Sequence, residues 1–185
     1  MYGATDRGTG DLELALAWGR GDLRAGDRLT ERYSTNIRRF FFNKTLGSTE
    51  DLVQDTFLGC SRSIARFEGR SSFRSYLFSI ARKVLYRHYR DRDVGFDPLT
   101  SSIAEVVSLD FEQPSPIEQL LDHEEKDRVL LALRTLPLRE QVLVELAYWE
   151  ELSNRELAEI MDIPMGTIKS RLRKARAELR SLVAR

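Results

Sequence analysis

The sequence predicts an all-α protein with two small helical domains joined by an acidic linker. Apolar residues recur at three- and four-residue intervals from Asp11 to Arg90 and again in the last third of the chain, a spacing typical of amphipathic helices. The length of 185 residues suffices for one core or two small ones. Between the two helical parts, residues 93–122 carry 7 acidic residues and no Lys or Arg. We therefore place the domains at 1–92 and 115–185 and the linker at 93–114.

The neutral net charge conceals an uneven distribution. Residues 1–92 carry 17 Lys/Arg against 11 Asp/Glu, whereas residues 123–185 carry 12 against 11. Because charge acts locally, an overall balance of 29 basic and 29 acidic residues does not exclude nucleic acid as a partner.

The predicted front bundle has a short leading helix around Leu12 to Trp18 and three longer helices. Its turns fall at 19–21, 47–48 and 68–71, where Gly and Ser favour non-helical backbone. Ser48 or Thr49 is expected to cap the third helix. Three apolar stripes should form the core: Leu29, Tyr33, Ile37 and Phe40 or Phe41; Val53, Phe57, Cys60, Ile64 and Phe67; and Phe73, Leu77, Ile80 and Val84.

The residue types exclude several classes of protein. Cys60 is the single cysteine, which excludes an internal disulfide, and its place on an apolar stripe predicts a core residue. His88 and His123 lie apart in sequence, and no phosphate-binding glycine loop is present, so we expect no catalysis, no metal and no cofactor. No apolar run approaches the ~20 residues that span a bilayer, and no signal segment leads the chain. We expect a cytoplasmic protein without membrane insertion.

The fourth helix interleaves cations with aromatic rings. Side chains that can follow a phosphate backbone alternate there with rings on which bases can stack, a composition typical of single-strand binding. Alternatively, the rings complete the core and the cations are merely solvated. The cations are Arg74, Arg82, Lys83, Arg87 and Arg90, and the rings are Tyr76, Phe78, Tyr86 and Tyr89.

The linker of roughly 22 residues could extend to about 70 Å, which allows one chain to contact DNA at two places. Its acidity could let it occupy a basic channel of a partner, or it could serve only as a solubilising tether. Its apolar residues, Ile103, Val106, Val107, Leu109 and Phe111, predict some docking. The segment 115–118, Ser-Pro-Ile-Glu, is expected to start the next helix.

The last third of the chain has the pattern of a helix-turn-helix. Ser153 and Glu156 predict a capping box on the first helix, while Asp162 and Pro164 suit a sharp turn. From residue 164 to 185 there are 7 Lys/Arg against one acid, so the second helix suits phosphates and groove edges. That helix should pack through Ile168, Leu172, Ala175 and Leu179 and leave Thr167, Ser170, Arg171 and Lys174 facing outwards.

Four blocks of the sequence, in this order, resemble the extracytoplasmic-function (ECF) sigma factors of bacterial RNA polymerase. They are EDLVQDTF at 50–57, RFEGRSSF at 66–73, LFSIAR at 77–82, and Leu136-Pro137 followed by the helix-turn-helix. The resemblance runs from about Asp11 to Leu182. It implies a promoter-specificity subunit that binds the polymerase core at the β′ clamp helices and the β flap, and binds promoter DNA as duplex and as single strand. An anti-sigma factor is a further candidate partner.

The resemblance also implies roles for individual residues. Docking on the clamp helices is assigned to Asp51, Leu52, Gln54 and Asp55. The loop 68–72 would capture a base flipped from the minus-ten element, with Phe67 either at the pocket edge or in the core. The minus-ten residues are Phe67, Gly69, Ser71, Ser72, Arg74, Tyr76, Arg82, Lys83, Tyr86 and Arg87.

The implied contacts with the minus-thirty-five element centre on the second helix of the helix-turn-helix. The implied base readers are Lys169, Ser170, Arg173 and Lys174, while Arg171 and Arg176 could instead hold phosphates, which position a helix without specifying a sequence. The full set is Thr167, Lys169, Ser170, Arg171, Arg173, Lys174, Arg176 and Arg155.

The sequence departs from the family pattern at three positions: Lys83 replaces Asn, Tyr76 replaces Trp, and Gly26 replaces Phe. Since Lys donates but cannot accept hydrogen bonds, the base preference at the minus-ten pocket stays open. The alternative function is a stand-alone helix-turn-helix regulator with a sensing or dimerisation domain. Such a regulator needs neither an Arg/Tyr helix nor an acidic docking face.

Overall fold

The structure is a computed structural model that describes residues 4–42, 44–45, 47–93, 95–103 and 123–183. In this part of the chain every regular element is helical, apart from one isolated antiparallel bridge between Ser102 and Pro137. The all-α prediction is therefore confirmed. The helices are α1 (Ala4–Gly19), α2 (Leu23–Phe42), α3 (Thr49–Ser63), α4 (Phe73–Arg92), α5 (His123–Thr135), α6 (Leu138–Tyr148), α7 (Asn154–Met161) and α8 (Met165–Val183), with a 3₁₀ turn at Ile64–Arg66.

The first four helices form a bundle whose core follows the predicted stripes. Leu29, Ile37, Phe41, Phe73 and Leu77 are fully buried. Cys60 is also fully buried, which confirms its prediction as a core residue. The burial of one stripe per helix, with polar residues elsewhere, is what holds an amphipathic helix in a bundle. Phe57 and Ile80 pack at the edge of the same cluster.

Gly26 allows α1 and α2 to approach closely. A Cβ atom at this position would lie 2.6 Å from the Trp18 ring, so any larger residue would displace the indole. Trp18 is 8% exposed and lies in the core. The indole thus occupies the space beside Gly26.

The start of α3 differs from the prediction. Ser48 occupies the N-cap position, but its side chain makes no capping hydrogen bond. Instead, its hydroxyl accepts a hydrogen bond from Arg92 Nη2 at 3.2 Å. The expectation of a side-chain cap at this residue is therefore wrong: its backbone, at φ −110° and ψ 7°, is not the extended one that N-cap residues typically have.

The last four helices form a second group, in which α8 packs against α5, α6 and α7. The start predicted for α5 at 115–118 lies outside the described residues, as do Val106, Val107, Leu109 and Phe111. The first part of the predicted linker does lie against this group. The Ser101 carbonyl accepts from Leu138 N at 2.9 Å, and the Ile103 side chain is fully buried.

The two helical groups contact each other mainly through α4 and α7. Lys44, which follows α2, is fully buried and forms an ion pair with Glu145 of α6. Burial lowers the pKa of Lys44, and the charge of Glu145 opposes this shift. No described helix combines the length and the apolar character needed to cross a bilayer.

Candidate nucleic-acid interface

The helix-turn-helix is built as the sequence predicts. The Ser153 hydroxyl accepts a hydrogen bond from Glu156 N, and the Glu156 carboxylate accepts one from Ser153 N, which completes the capping box. Asp162 ends α7 in the left-handed region, at φ 56° and ψ 48°. These local features set the angle between α7 and α8. Leu157, Ile160, Met161, Ile168, Leu172 and Ala175 are buried where the two helices meet the core.

The outer face of α8 carries an array of exposed cations. Lys169, Arg173, Lys174 and Arg176 are exposed, and Ser170 is exposed beside them. The Arg176 guanidinium lies 5.0 Å from the centre of the Tyr148 ring, which orients it without covering it. Thr167 is half-buried, and Arg155 of α7 is exposed, 3.5 Å from Glu159. The assignment of these residues of α7 and α8 to the minus-thirty-five element stays a prediction.

Arg171 differs from the other cations of α8. Its Nη1 atom donates to Glu140 Oε1 of α6 at 2.6 Å, and the two side chains are 31% and 22% exposed. The guanidinium therefore links α8 to α6 in this structure. The sequence pattern placed Arg171 on the outer face because helical spacing alone does not show that a neighbouring helix supplies an acid there.

The predicted minus-ten loop, residues 67–72, connects the 3₁₀ turn to α4. Gly69 adopts φ 73°, and a Cβ atom there would lie 2.7 Å from Leu12 Cδ1. Ser72 caps α4 by accepting from Ser75 N at 3.0 Å, so its hydroxyl has a structural partner. Ser71 is half-buried. The loop is thus anchored at Gly69 and Ser72.

Phe67 lies at the edge of the core, between the two locations that the sequence left open. It is half-buried and packs against Phe73 and Tyr76, with ring centroids 6.3 and 4.9 Å away. One side of the ring thus contributes to the core. The Tyr76 hydroxyl lies 2.5 Å from Ser63 Oγ, which fixes the neighbouring ring.

Two rings of α4 are not available for stacking in this structure. Phe78 is fully buried and Tyr89 is 3% exposed, so both rings belong to the core, which is the alternative stated for the rings of α4. Tyr89 stacks on Phe96 with centroids 4.6 Å apart, which means that the start of the linker covers it. Tyr76 and Tyr86 are half-buried. Burial raises the pKa of both phenols.

The cations of α4 occupy different environments. Lys83 and Arg87 are exposed, whereas Arg82 is half-buried, with its guanidinium 5.3 Å from the Tyr86 ring centre. Arg74 is half-buried and bonds to Glu150 of the second helical group. Arg87 forms an ion pair with Asp55 at 3.0 Å. The predicted DNA surface therefore meets the predicted polymerase surface at this pair.

The predicted polymerase surface lies on α3. Asp51, Gln54 and Asp55 are exposed, but Leu52 is 6% exposed and belongs to the core. Leu52 therefore supports this face from below and does not present its side chain. An open groove of about 480 Å³ runs beside the acids, and it is lined by Thr30, Ser34, Glu50, Asp51, Val53, Gln54, Phe57 and Leu58.

One cluster near this interface was missed by the sequence reading. Asn36 and Arg39 of α2 and Arg74 of α4 all bond to the carboxylate of Glu150, which is 5% exposed. Glu150 follows α6, and the next residue, Glu151, adopts φ 51°. More than 70 residues separate Glu150 from each partner. No local pattern could have indicated the cluster.

Comparisons with known proteins agree with these two groups of helices. The family model for sigma-70 region 2 matches residues 29–94, and the model for sigma-70 region 4 matches residues 126–179. The first covers most of α2 and all of α3 and α4, and the second covers the helix-turn-helix except the end of α8.

Curated relatives match over most of their length. The RNA polymerase sigma factor YlaC of Bacillus subtilis is 33% identical over 156 residues, covering 82% of this chain and 88% of that protein. The RNA polymerase sigma-H factor of Pseudomonas aeruginosa is 29% identical over 173 residues, covering 90% of each chain. The ECF RNA polymerase sigma-E factor of Escherichia coli K12 is 27% identical over 165 residues, covering 85% of each.

Solved structures share the fold. CnrH in complex with the cytosolic domain of CnrY matches with a TM-score of 0.68 and 22% identity, over 95% of this chain and 97% of that one. The sigma factor RpoE of Bartonella quintana, in complex with the anti-sigma factor NepR, matches with a TM-score of 0.67 and 24% identity, over 85% and 96%. These structures show the shared fold, whereas the relatives and both family models establish that this chain belongs to the sigma-70 family, among its ECF sigma factors.

Proposed function

We propose that this protein is an alternative sigma factor that binds the RNA polymerase core in the bacterial cytoplasm and directs it to a set of promoters. It acts through binding and carries out no catalysis of its own. The acidic face of α3 docks on the β′ clamp helices, and the second helical group contacts the β flap. Duplex minus-thirty-five DNA binds at α8, and the melted minus-ten strand binds along the loop 67–72 and α4.

The cation array of α8 supports the upstream contact. A helix that packs through one face and exposes Lys169, Arg173 and Lys174 on the other has the geometry with which recognition helices enter the major groove. Exposed Arg and Lys side chains supply both phosphate neutralisation and donors to base edges. Arg176, held beside Tyr148, is placed at the edge of the same face.

The loop 67–72 supports the downstream contact. Extruding a base from the duplex costs a few kcal/mol of stacking, which a protein recovers when it stacks and hydrogen-bonds the base. The half-buried rings of Phe67 and Tyr76, whose centroids are 4.9 Å apart, offer a fixed platform beside the backbone of Gly69. Promoter melting then follows from binding free energy without ATP.

The observation that carries the proposal is the exposed acidic face of α3 beside its apolar groove. Asp51 and Gln54 present an acid and an amide at the rim of the 480 Å³ groove, and Leu58 at the same rim is 44% exposed. An acidic rim around an apolar groove is complementary to a basic helical partner. A stand-alone regulator has no need of such a face, and the match to region 2 across residues 29–94 favours the initiation factor.

A pull-down with core polymerase tests this assignment. Asp51→Lys should abolish retention of the chain, because it reverses the charge at the rim of the groove. Glu13→Lys on α1 makes the same charge change at another exposed acid and serves as the matched control. Equal retention of Asp51→Lys and Glu13→Lys would refute docking through α3.

We further propose that an anti-sigma factor regulates the protein. Two solved structures of the same fold hold a partner chain, the cytosolic domain of CnrY in one and the anti-sigma factor NepR in the other. Co-purification from cells that contain the neighbouring genes would identify a partner, and transcript profiling after overexpression would identify the promoters.

A further inference from the structure

A buried carboxylate of the second helical group lies among donors of the first. Asn36 Nδ2 donates to Glu150 Oε2 at 2.8 Å, and Arg74 Nη2 donates to the same oxygen at 2.7 Å. Arg39 Nε donates to Oε1 at 3.2 Å, and Arg39 Nη2 makes a second contact with that oxygen. Arg74 Nη2 also donates to the Glu150 backbone carbonyl at 2.7 Å. Oε1 is therefore held from α2, and Oε2 is held from both α2 and α4.

The three donors form a site for an oxyanion. Their side chains lie at the end of α2 and the start of α4, and the two guanidiniums are 22% and 30% exposed. Two half-buried guanidiniums aimed at one point repel each other unless an anion lies between them. A guanidinium presents paired N–H groups that fit the two oxygens of a carboxylate or of a phosphodiester equally well. The site therefore suits a backbone phosphate as well as it suits Glu150.

The position of the site indicates which phosphate it meets. Arg74 is the second residue of α4 and comes directly after the loop 67–72 and Phe73. The amino-terminal end of a helix adds a partial positive charge that favours anions. A strand whose base enters the loop must bring its sugar-phosphate backbone past this end of α4.

We propose that Asn36, Arg39 and Arg74 bind a backbone phosphate of the unpaired promoter strand, and that Glu150 occupies this site in the closed arrangement as an intramolecular competitor. This inference rests on the proposed function, because the ligand is the strand handled by the neighbouring loop. Since Glu150 belongs to the same chain, it competes at a high effective concentration. DNA gains the site only when the second helical group moves away.

Binding of a short labelled single-stranded oligonucleotide to the full chain, measured by anisotropy over a range of salt, tests the proposal. Glu150→Gln keeps the shape of the side chain but removes its charge, and we expect about tenfold tighter binding, the change that follows when a charge-assisted contact is weakened. Glu150→Asp keeps the charge but shortens the reach, so its affinity should lie between the two. Circular dichroism of both variants checks that the helices remain folded.

A second substitution tests the donors themselves. In the Glu150→Gln background, Arg39→Gln should lower the slope of log affinity against log salt by about 0.7, the value for one phosphate contact with a single strand. The matched control is Arg38→Gln, which removes the same charge from the next residue, where Arg38 pairs with Glu50 at 2.9 Å. The control should leave the slope unchanged.

Three results would overturn the proposal: no tightening in Glu150→Gln, an unchanged slope in the Arg39→Gln variant, or an equal change in the Arg38→Gln control. Inorganic phosphate separates DNA from free anions. If phosphate raises the melting temperature of Glu150→Gln but Arg39→Gln leaves the oligonucleotide slope unchanged, the site takes free anions and the DNA assignment is wrong. If core polymerase retains Asp51→Lys as well as Glu13→Lys, but Arg39→Gln lowers the salt slope as expected, the anion site is supported and docking through α3 is refuted.

Discussion

Arg171 and Arg176 look alike in sequence, since both are arginines of α8 that could hold phosphates, but the structure predicts different roles. Arg176 is exposed beside Tyr148, whereas Arg171 bonds to Glu140 at 2.6 Å. We expect Arg176→Ala to weaken duplex binding without changing stability. We expect Arg171→Ala to destabilise the helix-turn-helix and leave the salt dependence of DNA binding unchanged.

The magnitudes follow from these environments. Each phosphate neutralised on duplex DNA contributes about 0.9 to the slope of log affinity against log salt, so a fourfold rise in salt weakens the wild type ~3.5-fold more than Arg176→Ala. The Arg171–Glu140 pair is 31% and 22% exposed, so solvent screens it, and its removal should cost about 1 kcal/mol of unfolding free energy.

Two measurements distinguish the variants: anisotropy with a duplex over a range of salt, and urea unfolding of the free protein. Glu140→Gln should match Arg171→Ala in stability, and the double variant should lose less than the sum of the two, because both remove the same contact. A slope that drops by about 0.9 in Arg171→Ala with unchanged stability would show that this guanidinium faces DNA instead of Glu140.

Two further predictions concern the first bundle. Burial raises the pKa of Cys60 to about 12 from an ordinary value of 9.0, so at pH 8 its thiol should react with a disulfide reagent ~10³-fold more slowly in the folded than in the unfolded protein. The stability that the protonated thiol contributes is present below pH 9 and is lost as pH rises towards 12. If Cys60 of the folded protein reacted with the reagent at the rate of a free thiol, its burial would be refuted. Gly69→Ala should cost roughly 1–2 kcal/mol, because Ala at φ 73° is strained, and should weaken single-strand binding through the displaced loop. Thermal unfolding and anisotropy would check this, and a melting temperature equal to that of the wild type would contradict it.

Local sequence signals predicted the features that local physics determines. The capping box of Ser153 and Glu156 and the left-handed backbone of Asp162 each depend on residues within one turn of helix. The buried stripes through Leu29, Ile37 and Leu77 depend only on helical periodicity. These signals sufficed for the capped start of α7, the turn that follows it and the buried stripes of the first bundle.

Features that depend on distant residues could not be predicted. The composition of α4 left open whether Phe78 and Tyr89 are stacking platforms or core residues; both are buried, and Phe96 of the linker stacks on Tyr89. Ser48 has a capping residue type, but its hydroxyl accepts a hydrogen bond from Arg92, 44 residues away, and does not cap α3. Likewise, Arg171 has an acid partner from another helix, and the donors around Glu150 come from two helices of the first group. Each outcome depends on a tertiary contact that no sequence window contains.

The pairing of Lys44 with Glu145 has a consequence for how the two halves of the protein separate. Lys44 is fully buried and Glu145 is 3% exposed, so pulling the halves apart returns both charges to water. Rehydration of the two ions offsets much of the attraction that is lost. At this pair the seam between the two helical groups is ionic, although apolar residues of both groups also meet in one buried cluster. We expect separation at this pair to cost less free energy than separation at the apolar part of the seam.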